Sequence, residues 1–404
     1  MKFSKLSQLF LVSVIGLLVA TLLTACQLVT IDYIYLAESS SSTPDGQIQS
    51  FAVDSQSGAL RTGTTAVDTG GPSPVAIAVS ADYANLYVAN QGNNSVVHFS
   101  IASTGVLTKK DSVTLAAAPV ALSVNAAGTF LFVASGTTSA TLTAYPLSSG
   151  AIGAAVAQEP LTLPSPTNAG DTLVPTGVVA LANNNAVYVT LYDQSAYNPG
   201  GTTSSTANPG WVFGFSVGTG GALTAAGGSP YRAGVKPSAA AADPTSRFLY
   251  VTDFASNQLV GYSIQSNGIL SFLINGPFKT GNEPSSIVID PRGRYIYVAN
   301  SLDSTVSAYL IDLATGTPSS AVNVTGSSVN STDTEPVSIT VDPAIGRFVY
   351  TANYLGNSVS GFRLDPNSGA LTAAQATPFP TNGPKPTAIA CIPHGNHSLQ
   401  VTTP

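Results

Sequence analysis

Apolar residues along this chain fall in short runs separated by turn formers, and one such run recurs seven times. Each copy closes on an aromatic residue followed by small or β-branched residues: Tyr35-Leu36-Ala37-Glu38, Tyr87-Val88-Ala89-Asn90, Phe132-Val133-Ala134-Ser135, Tyr188-Val189-Thr190-Leu191, Tyr250-Val251-Thr252-Asp253, Tyr297-Val298-Ala299-Asn300 and Tyr350-Thr351-Ala352-Asn353. Successive aromatics lie 45 to 62 residues apart, a period that suits one small antiparallel sheet per repeat.

Each run sits in the same surroundings. About a dozen residues upstream, a Pro opens a stretch of small and β-branched residues, as in Pro74-Val75-Ala76-Ile77-Ala78-Val79 and Pro284-Ser285-Ser286-Ile287-Val288-Ile289. Turns such as Asp290-Pro291-Arg292-Gly293 join the two stretches, because Pro presets φ and Gly permits positive φ. Downstream, a third strand ends on Phe51, Phe99, Tyr145, Phe215, Tyr262, Tyr309 or Phe362. A Gly follows at 58, 105, 150, 221, 268, 316 or 369, and in six of the seven copies it leads into a Leu or Ile that opens a fourth strand.

The two ends hold complementary halves of a repeat. The N-terminal side begins at a second strand, Ile31 to Ala37, and the C-terminal side supplies a lone first strand, Pro386 to Ile392. Pairing them leaves no open sheet edge. The expected fold is all-β: a seven-bladed β-propeller of four-stranded antiparallel blades, closed by the C-terminal first strand against the N-terminal strands. Two β-sandwich domains would not explain the half-repeats.

Composition agrees with short strands and tight loops: 8% of the 404 residues are charged, with 37 Gly and 27 Pro. The 14 Lys and Arg are scattered and the net charge is −6, which argues against nucleic acid as a partner. Only Cys26 and Cys391 are present, so no disulfide framework is expected.

Residues 1–25 read as a targeting segment. Lys2 and Lys5 precede an apolar run from Leu9 to Leu23, which ends in Leu23-Thr24-Ala25-Cys26. This order resembles a bacterial lipobox, in which the Cys is acylated and becomes the mature N-terminus. An ordinary signal peptide or a membrane span carrying a Cys would share the apolar run. The lipobox reading makes 1–25 a lipoprotein signal peptide, 26–30 a lipidated tether, 31–392 the propeller and 393–404 a tail. Cys26 would hold the protein to a membrane through its acyl chains. Gln27 is not the Asp of inner-membrane retention, so outer membrane or cell surface is the expected location.

The runs resemble the YVTN repeat and the lactonase-type seven-bladed propeller family, which includes 6-phosphogluconolactonases and carboxymuconate cyclases. The resemblance spans roughly residues 31–392 and rests on copies such as Asp290-Pro291-Arg292-Gly293-Arg294-Tyr295-Ile296-Tyr297-Val298-Ala299-Asn300. It implies, for the enzymatic branch, an Arg-His pair directly after one first-strand Pro and a Glu beyond the following aromatic run. In the best-aligned repeat Pro237 is followed by Ser238 and Ala239, and Phe254 stands at the Glu position.

Candidate chemistry gathers on one face. In a propeller, the loops entering first strands and those joining second to third strands share a face. Lys236, Glu283, Glu335 and Lys385 directly precede first-strand prolines, and Glu38, Asp253 and Asp303 lie on or near the second-to-third loops. This predicts a mixed-charge mouth around a central channel, suited to a small molecule or protein partner; the alternative is a set of solvated loop residues. An insertion on that face, Leu191 to Trp211, carries Tyr192, Asp193, Tyr197, Asn198 and the sole Trp. The polar stretch Ile311 to Thr334 reads as a loop. His98 stands where other repeats have a small residue and reads as a packing histidine; His394 and His397 lack further ligands for a metal. No cofactor or metal is expected. Because the family's charged set is absent at its usual positions, the sequence leads to a non-catalytic binding or scaffold propeller. A lactonase-like hydrolase with displaced catalytic residues and a structural surface-layer-like protein are the alternatives.

Overall fold

The computed structural model describes residues 29–40, 43–163, 171–197, 209–322, 326–343 and 346–395. Cys26, Asn198 and His397 lie outside them. The described strands form seven separate antiparallel sheets, six of them with their first three strands consecutive in the chain. Blade 1 contains Pro74–Val79, Asn85–Asn90, Ser95–Ile101 and Leu107–Thr114. Blades 2 to 6 follow in chain order, with innermost strands Pro119–Val124, Leu173–Ala180, Pro237–Ala242, Pro284–Ile289 and Pro336–Val341. Blade 7 is composite: Pro386–Pro393 pairs antiparallel with Thr30–Glu38, which pairs in turn with Gln47–Asp54. Each innermost strand touches those of the two neighbouring blades, so the seven form a closed ring.

The outer strand departs from expectation. In six blades it is broken into two short segments that both pair with the third strand, and only blade 1 keeps it whole. The stretch 311–334 accordingly contains Pro318–Ser320 and Val329–Ser331, so it is not simply a loop.

Burial explains why the second strands carry the strongest signal. All six residues of Asn85–Asn90, Phe248–Asp253, Tyr295–Asn300 and Phe348–Asn353 are buried, because these strands lie between sheets on both faces. The core lies at the seams between blades. One cluster joins Phe132 and Leu142 of blade 2 to Val187, Val189 and Phe213 of blade 3. Another joins Phe348 and Tyr350 of blade 6 to Ile34, Phe51 and Cys391 of blade 7.

The recurrent Tyr crosses these seams. Tyr35, Tyr87, Tyr188, Tyr250, Tyr297 and Tyr350 each donate a hydroxyl to the carbonyl of the Gly in the next blade's third-to-fourth turn, at 2.6–2.9 Å. The glycine is required: Gly316 has φ +74°, and a Cβ there would lie 2.4 Å from the Phe248 ring. Among the described residues no helix is long and apolar enough to cross a membrane.

Candidate functional site at the channel mouth

All seven innermost strands bulge at the residue after their first Pro, for example at Ser238 between Pro237 and Ala239. A bulge bends the strand and re-aims the side chains beside it. Hydroxyls at the bulge link the ring: Ser238 and Ser285 donate to the carbonyls of Pro284 and Pro336, and Thr387 to that of Pro74, at 2.5–2.7 Å.

The residue before the Pro is held just as tightly. Glu283, Glu335 and Lys385 have φ of +53°, +59° and +58°, a region sparsely populated by residues with a Cβ and one that persists where surrounding structure enforces it. The enforcement is visible. The Glu283 N–H donates to Asn257 Oδ1 of the preceding blade at 2.8 Å, and its carbonyl accepts from Ser301 N at 2.9 Å. Glu335 N–H donates to Ser304 Oγ and Lys385 N–H to Asn357 Oδ1. Their side chains thus stand at the mouth on consecutive blades, Glu283 and Glu335 half-buried and Lys385 exposed.

Lys236, on blade 4, adjoins this row. Its Nζ lies 4.6 Å from the Phe254 ring centroid, 5.0 Å from Tyr197 and 5.5 Å from Tyr192, within cation–π range of all three. Burial, followed by the negative charges of Glu283 and Asp253, pushes the Tyr197 phenol above its usual range. Lys236, Tyr197 and Glu283 therefore form one electrostatic group across three blades. Neither Lys236, Glu283, Glu335 nor Lys385 forms an ion pair with a described residue.

Other expected mouth residues have different work. Asp253 is wholly buried; its carboxylate accepts from Val235 N, Lys236 N and Gln258 Nε2 at 2.9–3.0 Å. Glu38 is equally buried, and its Oε1 accepts from Gln47 Nε2 at 2.7 Å and Gly383 N at 2.9 Å. Both clamp the loop that enters their blade's innermost strand, so they position the mouth and do not line it. Asp303 is bonded to Asn282. Trp211 is the second residue of the third strand of blade 3, Gly210–Val217, where the Arg232 guanidinium lies 3.8 Å from its ring centroid. Tyr192 belongs to the strand Ala186–Asp193. His98 is a buried link: Nδ1 meets Asp111 Oδ2 at 2.8 Å and Nε2 meets Asn85 Oδ1 at 2.9 Å. His394 packs edge-on against Tyr33, and its N–H donates to the Ile31 carbonyl, so the tail begins later than expected. Phe254, which the sequence marked only as a missing Glu, is the ring nearest Lys236.

The sequence matches the family described as "Lactonase, 7-bladed beta-propeller" over residues 45–169 and 222–329, more than half of the chain. The chain belongs to this lactonase family. Its fold is similar to that of the periplasmic gluconolactonase of Pseudomonas aeruginosa, with a TM-score of 0.73 and 19% identity over 91% of this chain and 100% of that one. A Bacteroides fragilis protein proposed to be a 6-phosphogluconolactonase gives 0.69 and 18% over 90% of this chain and 98% of that one. A Bacteroides uniformis protein with the same proposed activity gives 0.71 and 16% over 90% and 100%. No curated protein matches the sequence. Membership of the lactonase family overturns the expectation of a non-catalytic binding or scaffold propeller. That expectation rested on the missing Arg-His pair, and the family match holds without it.

Proposed function

We propose that this chain is a lactone hydrolase that opens the cyclic ester of a sugar acid at the channel mouth. The observation that carries this reading is the grouping of Lys236 and Glu283 around Tyr197 without an ion-pair partner among the described residues. Where the family resemblance implies an Arg-His pair and a Glu, blade 4 offers Ser238, Ala239 and Phe254. Lys236, just before the Pro, and Glu283, on the next blade, supply charges of the same signs at the same rim.

Lactone opening needs those two charges. A water proton passes to the Glu283 carboxylate while the water oxygen bonds to the carbonyl carbon. Negative charge grows on the carbonyl oxygen, which the Lys236 ammonium stabilises in a partly desolvated cage. The ring C–O bond then breaks, and the proton held by Glu283 passes to the departing oxygen, giving an open hydroxy acid. Glu335 and Lys385, farther along the row, are placed to bind ring hydroxyls.

The test is hydrolysis of 1,5-lactones of sugar acids, with and without a 6-phosphate, by the full-length chain in mild detergent. Turnover above the spontaneous rate that Glu283→Gln removes is the expected result. An absence of turnover on every lactone would sink the reading.

The proposal keeps Cys26 as a lipid anchor at the outer membrane or cell surface. Thr30, four residues later, lies at the end of blade 7 opposite the mouth, paired with Asp54. An anchor there leaves the mouth facing away from the membrane. Metabolic labelling with a fatty acid, lost in Cys26→Ser, is the expected outcome.

A further inference from the structure

The second-to-third loops of blades 5 and 6 are each tied between two residues of the charged row. In blade 5, Ser301 N donates to the Glu283 carbonyl at 2.9 Å, and Ser304 Oγ accepts from Glu335 N. In blade 6, Tyr354 N donates to the Glu335 carbonyl at 2.8 Å, and Asn357 Oδ1 accepts from Lys385 N at 2.8 Å. A side chain standing between two such ties is held beside the row.

Both loops place a leucine there. Leu302 follows Ser301 and is 64% exposed; Leu355 follows Tyr354 and is 58% exposed. Matching positions in blades 1, 2 and 4 are marked by the same backbone bond: Gln91 N to Ser73 O, Gly136 N to Ala118 O and Phe254 N to Lys236 O. They carry Gly92, Thr137 and Ala255. A lone apolar side chain on a surface calls for no explanation. Two in register on adjacent blades, both beside the charged row, are not scattered in that way. Tyr354 adjoins them, its ring 5.7 Å from Lys385 Nζ. The row Glu283, Glu335, Lys385 is thus edged by an apolar lip.

We propose that the lactone opened at the mouth carries an apolar substituent, an alkyl group on the sugar-acid ring, that lies against Leu302 and Leu355. This rests on the lactonase reading: the row takes the ring, and the lip takes what projects from it. An unsubstituted sugar-acid lactone is polar all round and leaves both leucines in water. Contact with an alkyl group removes apolar surface from water on both partners.

Glucono-1,5-lactone and its 6-O-butyl ether present the same cyclic ester and differ only in the chain. Both would be assayed with the full-length chain in mild detergent. A kcat/KM about tenfold or more higher for the ether, arising mainly from a lower KM, is expected. That ratio should fall to within about a factor of two of unity when Leu302→Ser and Leu355→Ser are combined. A wild-type ratio near one, or one favouring the bare lactone, overturns the lip and leaves the lactonase reading standing. A preference that survives in the double variant puts the apolar contact elsewhere and overturns the lip as well. No turnover of either lactone sinks both.

Discussion

Asp32 and Asp342, both wholly buried, face each other where blade 7 closes against blade 6. Asp342 accepts from Arg347 N, whereas among the described residues neither oxygen of Asp32 has another group's N–H or O–H to accept from. Their mutual hydrogen bond therefore requires a proton, and burial with the adjacent Asp342 charge raises the Asp32 pKa to about 9. Tyr83, Tyr350 and Cys391, the other titratable groups here, are likewise pushed up, chiefly by burial. Since the folded state holds a proton that the unfolded chain releases near the ordinary aspartate value of 3.8, the stabilisation is full below about pH 4 and is lost as pH rises towards 9, by up to about 1.4 kcal/mol per pH unit. Thermal melts should show falling stability across that window. Asp32→Asn substitutes a permanent amide donor, so its melting temperature should change less between pH 5 and 9 and exceed wild type at pH 9. An unchanged slope would refute the shared proton.

The hydroxyl of Tyr250 donates to the Gly316 carbonyl at 2.6 Å across the seam of blades 4 and 5. Tyr250→Phe leaves that buried carbonyl without its donor and should cost about 1–3 kcal/mol. Blade 2 already has Phe132 at this position, so an aromatic ring without the hydroxyl is compatible with the fold. Urea denaturation should show a lower midpoint with an unchanged slope. No loss would mean that the link is only geometric.

Sequence made the ring legible because seam burial imposes the same aromatic, small-residue run in every blade, and because the half-repeats at the two ends fit together. The mouth was only half legible. Lys236, Glu283, Glu335 and Lys385 could be placed by their position before a Pro, which the topology carries to one end of the ring. Glu38 and Asp253 could not be told apart from them, because sequence spacing does not reveal that a carboxylate at a strand end turns inward to bind loop N–H groups. The cage around Lys236 joins Tyr192 and Tyr197 to Phe254 across a seam, and no local pattern encodes such a contact. Phe254 read only as a departure from the family pattern, whereas the structure sets its ring 4.6 Å from Lys236 Nζ.

Asp253 separates positioning from catalysis. Its carboxylate holds both Val235 N and Lys236 N, so Asp253→Asn presents an amide N–H₂ or a single acceptor to a loop built for two. The expected result is a stability loss of about 1–3 kcal/mol and a rise in KM larger than the fall in kcat, since the Lys236 loop shifts while the ammonium remains. A fall in kcat alone, with normal stability, would assign Asp253 a direct chemical part.

Lys236→Met tests the ammonium itself. The thioether chain keeps the contact with Phe254, Tyr192 and Tyr197 but removes the charge that would stabilise the oxyanion. A preorganised donor of this kind is worth roughly 10²–10³ in kcat, so that loss is expected with a near-native melting curve and little change in KM. Glu335→Gln, one blade beyond Glu283, should instead raise KM and leave kcat within about a factor of three of wild type, because its assigned part is ground-state binding. If Glu335→Gln abolished kcat and Glu283→Gln spared it, the base would lie one blade further round the mouth than the cage at Lys236 indicates.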